Sequence, residues 1–335
     1  MSKRTVLTGI TTTGTPHLGN YVGAIKPCVL ASHDESVHSY YFLADYHALV
    51  KNQDPDRMQQ STLEIAATWL ALGLDTRRAV FYRQSDVPEI LELTWILTCS
   101  TAKGLMNRAH AYKAAVQENV DAGEDQDFAI TMGLFSYPVL MAADILMFNA
   151  TNVPVGKDQV QHLEMARDIA QRFNHHYGEH FRLPEAVVDA HVAVLPGKDG
   201  RKMSKSYNNT IPLWLPEKQL RKAIMRIVTN SLEPGEPKDP DESALFSIYA
   251  AFASAEQRAS MRQAYQEGIA WGQAKQQTFE LINDELIQAR ERYDALMAEP
   301  EHIEQELLEG AARARAFATP FLDRIRAAIG IRKLG

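Results

Sequence analysis

The stretch that decides the fold is Thr5–Asn20, which reads TVLTGITTTGTPHLGN. Its first half is apolar and β-branched and predicts a strand over Thr5–Ile10, and a turn rich in glycine, proline and hydroxyl groups follows. A helix is expected to begin near Gly19. The free N–H groups at the start of that helix would face the carboxyl end of the strand, where open α/β sheets bind ligands and where phosphate is favoured.

Two residues of this stretch suit a phosphate ligand. His17 could donate a hydrogen bond to a phosphate oxygen, and Gly19 would let a ligand approach the backbone closely. The spacing fits neither the Walker A loop nor the Gly-x-Gly-x-x-Gly fingerprint of dinucleotide-binding proteins. On these residues alone, a simple turn with a helix cap is as good an interpretation as a phosphate site.

Strand and helix patterns alternate through the first two hundred residues. Four further strands are predicted, over Ser39–Ala44, Val80–Gln84, Asn152–Val155 and Ala186–Leu195. This alternation predicts a Rossmann-like α/β fold, in which helices cover a doubly wound parallel sheet. From about residue 215 the strand-like runs disappear, so a C-terminal all-helical domain is expected. We place the α/β domain at 1–207 and the helical domain at 208–335, whose last helix could pack back on the first domain.

The composition limits the classes of protein to which this chain can belong. Of the 335 residues, 45% are hydrophobic and 23% are charged, and no apolar run reaches the roughly 20 residues of a membrane span. The N-terminus lacks the apolar core of a signal peptide, and Cys28 and Cys99 form neither a metal-binding spacing nor a disulfide framework. We therefore expect a soluble cytoplasmic protein.

Basic residues gather late in the chain, among them Arg313, Arg315 and Arg326, and we interpret them mainly as solvated helix faces. The net charge of −7 neither supports nor excludes an RNA partner, because binding needs only a local basic surface.

A second segment, Lys198–Ser206, reads KDGRKMSKS and follows the last predicted strand. Its glycine and serines favour a mobile loop that carries the ammonium groups of Lys202 and Lys205. Two ammonium groups brought to a polyphosphate suit a reaction that expels pyrophosphate. A generic basic loop is the alternative.

With both segments in view, the chain resembles the class I aminoacyl-tRNA synthetases. Pro16–Asn20 (PHLGN) is similar to their His-Ile-Gly-His motif, and Lys202–Ser206 (KMSKS) matches their second motif letter for letter. Asn20, in place of the final histidine, resembles the tryptophanyl branch of the class. Phe135–Leu146 (FSYPVLMAADIL) resembles the specificity helix of that branch, and Val153–Gln159 (VPVGKDQ) follows it as in that branch. The resemblance covers nearly the whole chain and weakens in the helical domain.

Asp144 supports the tryptophanyl branch from its chemistry. A carboxylate among Met141, Ala142 and Ile145 is costly to bury without a partner. A carboxylate only accepts hydrogen bonds and an indole N–H only donates them, so phenylalanine in the same pocket would leave Asp144 unpaired. Sites built for a substrate hydrogen bond reject such analogues by roughly 10⁴–10⁵. The alternatives are an Asp144 on the exposed edge of its helix, or one paired with a basic residue.

The resemblance implies a reaction and its partners. The chain would activate tryptophan with ATP to give tryptophanyl-adenylate and pyrophosphate, with Mg²⁺ held mainly by phosphate oxygens. It would then transfer the amino acid to the 3′ end of tRNA(Trp). The helical domain would recognise the anticodon, and the protein would be a homodimer with no membrane association.

The resemblance also assigns residues. The catalytic residues would be His17, Lys202 and Lys205. ATP would be bound by Thr11, Thr12, Thr13, Gly19, Asn20, Gly156, Lys157, Asp158, Val194, Lys202, Met203, Ser204, Lys205 and Ser206. Tryptophan would be bound by Asp144, Tyr137, Met141, Gln159 and His47, with Tyr137 and Gln159 at its α-ammonium group. No side chain is assigned to a metal, and His175, His176 and His180 are interpreted as a solvated helix end.

The sequence departs from the family in two places. Thr11–Thr13 stand where the family often carries Gln-Pro-Ser, and the chain is longer than expected between Arg108 and Phe128, where a family lysine corresponds to Lys113.

Three rival functions remain open. A tyrosyl-tRNA synthetase shares the fold and both motifs, but the Tyr137–Leu146 segment does not resemble it. A small-molecule nucleotidyltransferase would not need the long helical domain. A regulatory RNA-binding paralogue without catalysis would be expected to lose motif residues, whereas His17, Gly19, Lys202 and Lys205 are all present.

Overall fold

A five-stranded parallel sheet forms the centre of the protein. The computed structural model describes residues 4–156, 159–187 and 195–334. The strands are β1 Arg4–Thr11, β2 Val37–Ala44, β3 Val80–Arg83, β4 Asn152–Pro154 and β5 Glu185–Val187, in the spatial order β3-β2-β1-β4-β5. The chain moves outward from β1 through β2 to β3 and then returns to the other side of β1. The switch point therefore lies between β1 and β4, where open α/β sheets bind their ligands.

Helices surround this sheet and then continue alone. Those of the α/β part are α1 Leu18–Asn20, α2 Lys26–Ser32, α3 Asp45–Ala48, α4 Pro55–Ala71, α5 Glu89–Ser100, α6 Lys103–Met106, α7 His110–Ala122, α8 Met132–Met147 and α9 Val160–Tyr177. Those that follow are α10 Glu217–Met225, α11 Ala244–Phe252, α12 Ala255–Gln266, α13 Trp271–Ala298 and α14 Pro300–Ala328. Within 195–334 no residue is assigned to a named strand, so the predicted change to an all-helical second half is confirmed.

The predicted strands lie where the sequence put them, with ends shifted by one or two residues. The exception is the last one, predicted over Ala186–Leu195: β5 covers Glu185–Val187, residues 188–194 lie outside the described residues, and Leu195 is not in a strand. The apolar stripe of α9 is buried, including Leu163, Ile169 and Phe173. Periodicity located these elements correctly because each must bury one face.

Helix α14 packs back on the α/β part of the protein, mainly against β3. Its apolar side chains Leu307 and Phe321 are buried in the cores that contain β3 and α8. Gly310 allows this close approach, since a Cβ atom there would lie 1.6 Å from the Phe81 carbonyl oxygen. The division at residue 207 stays our proposal.

The basic residues near the end of the chain largely form hydrogen bonds and ion pairs within the protein. Arg313 donates to the carbonyls of Ala79 and Arg78, at 3.1 and 3.2 Å, and Arg315 pairs with Glu89 at 3.0 Å. These cations stabilise the packing of α14 and are poor candidates for RNA contacts. Among the helices of the described ranges, none has the length and apolarity needed to cross a lipid bilayer.

Candidate active site

His17 caps the first helix at the carboxyl end of β1. Its Nδ1 accepts a hydrogen bond from the Asn20 backbone N–H at 3.3 Å, and the Asn20 side chain accepts one from the His17 N–H at 3.1 Å. Because Nδ1 is the acceptor, a neutral ring carries its proton on Nε2 and can donate from that nitrogen. Burial, with Lys205 nearby, lowers the pKa of His17 to about 4. At neutral pH His17 is therefore an uncharged hydrogen-bond donor.

The residues around His17 differ in what they can offer a ligand. A Cβ atom at Gly19 would lie 3.0 Å from His17 Nδ1, so the imidazole lies against this glycine and a side chain there would crowd it. Thr13 lines the adjoining cleft, whereas Thr12 is fully buried and its hydroxyl donates to the Met58 sulfur at 3.3 Å. In this structure Thr12 therefore offers no exposed surface to a ligand.

The lysine-bearing loop is held by one asparagine. The buried side chain of Asn209 accepts from the Ser204 N–H at 2.8 Å and donates to the Lys202 carbonyl at 3.0 Å and to Asp199 at 2.7 Å. These bonds fix the loop's backbone at its base. The predicted mobility of this loop stays a prediction.

The two loops meet across a cleft of about 370 Å³. Lys205 Nζ donates to the Thr13 carbonyl at 3.2 Å, and His17 pairs with Pro212 in an antiparallel bridge just beyond the second loop. Burial and the charge of Arg57 lower the pKa of Lys205. The cleft is lined by Thr13, His17, Gly19, Asn20, Gly23, Leu195, Lys202, Met203, Ser204 and Lys205. These described residues offer several cationic and neutral donors and include no carboxylate, which suits a polyphosphate.

A larger open depression, of about 510 Å³, follows one face of α14 and does not suit a phosphate ligand. Its lining carries negative charge: Glu301, Glu304, Gln305, Leu308, Glu309 and Ala312. We assign no ligand to it.

Asp144 is buried on α8 and already has two donors. It is 1% exposed, Gln84 Nε2 donates to its Oδ1 at 2.7 Å, and His47 Nε2 donates to its Oδ2 at 2.8 Å. Burial raises the pKa of Asp144, and the hydrogen bonds from His47 and Gln84 oppose that shift. The sequence argument that phenylalanine would leave Asp144 unpaired is therefore wrong. A carboxylate has about four acceptor sites, so Asp144 keeps room for a further donor.

A second polar chain begins at Tyr137, about two helical turns before Asp144 on α8. The Tyr137 hydroxyl donates to His162 Nε2 at 2.6 Å, and His162 Nδ1 donates to Gln159 Oε1 at 3.1 Å. His47 and Tyr137 approach edge to face, with ring centroids 6.3 Å apart, which joins the two chains. The five residues predicted for the amino acid thus lie on three neighbouring helices or their ends, α3, α8 and α9.

Comparison with known proteins agrees with this geometry. The model of the class I tRNA synthetases for tryptophan and tyrosine (W and Y) matches residues 2–286. The tryptophan–tRNA ligase of Pseudomonas aeruginosa is 68% identical over 98% of this chain and 74% of its own length. That of Neisseria meningitidis is 59% identical over the full length of both proteins. The tryptophanyl-tRNA synthetase of Campylobacter jejuni, solved with ADP and tryptophan, is 44% identical, with a TM-score of 0.87 over 97% of this chain and 99% of that one.

The chain belongs to the class I tryptophan–tRNA ligases. The family assignment made from the two motifs and the Phe135–Leu146 segment is confirmed, as is the Rossmann-like fold. The individual site residues stay predictions for a member of this family. Three of them, Lys157, Asp158 and Val194, lie outside the described residues.

Three residues of this synthetase site are not among those predicted from the sequence: Gln84, His162 and Asn209. Gln84 directly follows β3, so its position at the carboxyl end of a parallel strand was an available signal. His162 is one helical turn after Gln159, on the same face of α9. Nothing in the sequence marks Asn209 as a site residue. Only the folded loop shows that its side-chain amide bonds to three backbone and side-chain groups of the loop.

Proposed function

We propose that this chain joins tryptophan to tRNA(Trp) in two steps, through a tryptophanyl-adenylate formed in the cleft between the two loops. The tryptophan carboxylate attacks the α-phosphorus of ATP, and pyrophosphate leaves. This nucleophile is ionised at neutral pH, so no general base is needed. The protein's task is to align the reactants and to neutralise the charge that grows on the phosphates. The observation that carries the proposal is the shared cleft, which presents His17, Lys202 and Lys205 together.

The phosphate roles follow from the charge of each group. His17, neutral and with its proton on Nε2, would donate to a phosphate oxygen without adding charge. Lys202 and Lys205 would supply positive charge near the departing pyrophosphate. Thr13, Gly19 and Asn20 would complete the nucleotide site from the first loop, and Gly156 from the end of β4.

Among the described residues, the side chains around the cleft do not form a site for a resident Mg²⁺ ion. The described residues that line the cleft include no carboxylate, and within the described ranges no three His, Cys, Asp or Glu side chains come together as a metal site. Protein-bound Mg²⁺ is usually held by one or two carboxylates as well as by phosphates. We therefore propose that Mg²⁺ accompanies ATP as part of the substrate, and none of the roles above depends on a protein ligand for it.

The amino acid would be selected by the two polar chains. Asp144 would accept the indole N–H, using an acceptor site that Gln84 and His47 leave open. Tyr137 and Gln159 would hold the α-ammonium group, with Met141 and His47 near the ring. His162 touches both Tyr137 and Gln159, so it is placed to set their relative position.

The rest of the chain would serve tRNA. Helices α10–α13 would read the anticodon, through bases splayed onto their surface, since sequence-specific RNA recognition mostly targets unpaired bases. We also propose a homodimer that acts in the cytoplasm, where translation takes place.

Amino-acid-dependent exchange between ATP and pyrophosphate, run against all twenty amino acids without tRNA, tests the proposal. We expect exchange with tryptophan alone. Exchange with tyrosine instead would keep the reaction and overturn the assignment of Asp144. No exchange with any amino acid would overturn the catalytic proposal and favour an RNA-binding paralogue.

A further inference from the structure

Arg57 lies opposite the first loop, in the first turn of α4. Its backbone N–H donates to the Asp54 side chain at 3.0 Å, which fixes the start of the helix. Its guanidinium Nη2 reaches across to the Thr15 hydroxyl at 3.4 Å. Neither the Pro16–Asn20 motif nor the Lys202–Ser206 motif contains this residue.

Arg57 and Lys205 converge on one small space beside Gly14. An atom at the Cβ position of Gly14 would lie 2.9 Å from Arg57 Nη2 and 3.2 Å from Lys205 Nζ. The two nitrogens therefore lie at most about 6 Å apart beside Gly14, so one phosphate group that approaches this glycine could accept hydrogen bonds from both cations. Gly14 has a φ of +117° and no side chain, and both properties keep the space open.

The electrostatics of the pair also indicate an anion. Arg57 forms no ion pair within the part of the chain that the structure describes, although Asp54 and Asp56 are its neighbours in sequence. Burial and the charge of Arg57 lower the pKa of Lys205, and the charge of Glu64 opposes that shift. Two like charges held toward one point destabilise the unliganded site, and an anion between them reverses that effect.

We propose that Arg57 is a further phosphate-binding residue of this enzyme, which forms with Lys205 a two-cation site for the part of ATP that leaves as pyrophosphate. The inference rests on the proposed function, because it requires ATP in the cleft between the two loops. A planar guanidinium group can bind two phosphate oxygens at once, which the ammonium group of Lys205 cannot do with the same geometry.

The chemistry is balanced without a proton transfer. A bond forms between a tryptophan carboxylate oxygen and the α-phosphorus, and the bond from that phosphorus to the bridging oxygen of the leaving group breaks. The electron pair of the broken bond stays on the departing pyrophosphate. Arg57 and Lys205 neutralise this growing charge, and they bind pyrophosphate in the reverse reaction.

The test compares Arg57→Gln, Arg57→Lys and a matched control, Lys51→Gln, which removes an exposed positive charge from the segment before the same helix. The kcat/KM values for ATP and for pyrophosphate are measured by exchange, and tryptophan binding is measured by equilibrium dialysis. A hydrogen bond to a charged group is worth about 1.5–3 kcal/mol, so Arg57→Gln should lower both kcat/KM values roughly 10- to 150-fold. The tryptophan affinity of Arg57→Gln should stay within about twofold of that of the wild type. The kcat/KM values of Arg57→Lys should lie between those of Arg57→Gln and the wild type, and those of Lys51→Gln should match the wild type.

A fourth variant, Thr15→Val, separates phosphate binding from loop positioning. It removes the Arg57–Thr15 hydrogen bond and keeps the Arg57 charge, so pyrophosphate kinetics should change little. If Thr15→Val reproduces the loss seen in Arg57→Gln, Arg57 acts by holding the loop and the proposal is overturned. Unchanged ATP and pyrophosphate kinetics in Arg57→Gln, alongside a loss in Lys205→Ala, would also overturn it and leave the proposed function standing. A wild type without tryptophan-dependent exchange would instead overturn the proposed function.

Discussion

Replacing Asp144 by alanine should reduce the preference of this enzyme for tryptophan over phenylalanine by a moderate factor. In the structure Gln84 and His47 already donate to the two carboxylate oxygens, at 2.7 and 2.8 Å. When phenylalanine binds, one hydrogen bond to a charged acceptor is therefore lost, but the carboxylate keeps its two protein donors. Such a bond contributes about 1.5–3 kcal/mol, which corresponds to a selectivity loss of roughly 10- to 150-fold. This is far below the roughly 10⁴–10⁵ expected of a carboxylate that only the substrate can satisfy.

The assay is the ratio of kcat/KM for tryptophan to that for phenylalanine in pyrophosphate exchange. Asp144→Asn is the matched control, because it keeps the shape of the side chain and removes the charge. Its carbonyl can accept from Gln84 and its amide can donate to His47 after a change of tautomer, so selectivity should fall by only about tenfold. Circular dichroism and ATP binding verify that each variant is folded. An unchanged ratio in Asp144→Ala would refute the role of Asp144, and a loss near 10⁴ would refute the reasoning from its existing partners.

Four further outcomes are expected. The pKa of His17 is about 4 in the folded protein and near 6.5 in the unfolded chain, so the unfolded chain binds this proton first as the pH falls. The free energy of unfolding should therefore drop by about 2 kcal/mol from pH 7 to pH 5 relative to His17→Asn, as measured by urea titration. Lys205→Ala should slow adenylate formation by at least about tenfold in a rapid-quench assay with tryptophan affinity retained, and a large loss of tryptophan affinity would contradict its charge-neutralising role. Gly310→Ala should destabilise the fold by several kcal/mol in urea, because its Cβ would meet backbone at 1.6 Å, whereas Gly272→Ala, with nothing within 4 Å, should change stability by less than about 1 kcal/mol. Analytical sedimentation should give a homodimer, and a monomer at micromolar concentration would exclude one.

The sequence by itself determined the architecture and the family. The strand at Thr5–Ile10 and the apolar stripe of α9 predicted a parallel sheet covered by helices. Elements that bury one face must repeat their apolar residues at a fixed period. The motifs at Pro16–Asn20 and Lys202–Ser206 identified the chemistry, because phosphate binding depends on short runs of backbone and charge that are contiguous in the chain.

Only the tertiary structure decided which side chains meet. The partners of Asp144 come from the end of β3 and from α3, so neither periodicity nor a motif could show that Gln84 and His47 already donate to it. The convergence of Arg57 and Lys205 on Gly14 likewise joins residues that are far apart in sequence. Hydrogen bonds and charge pairs act over a few ångströms of space, and the chain brings such residues together only when the sheet and its loops have formed.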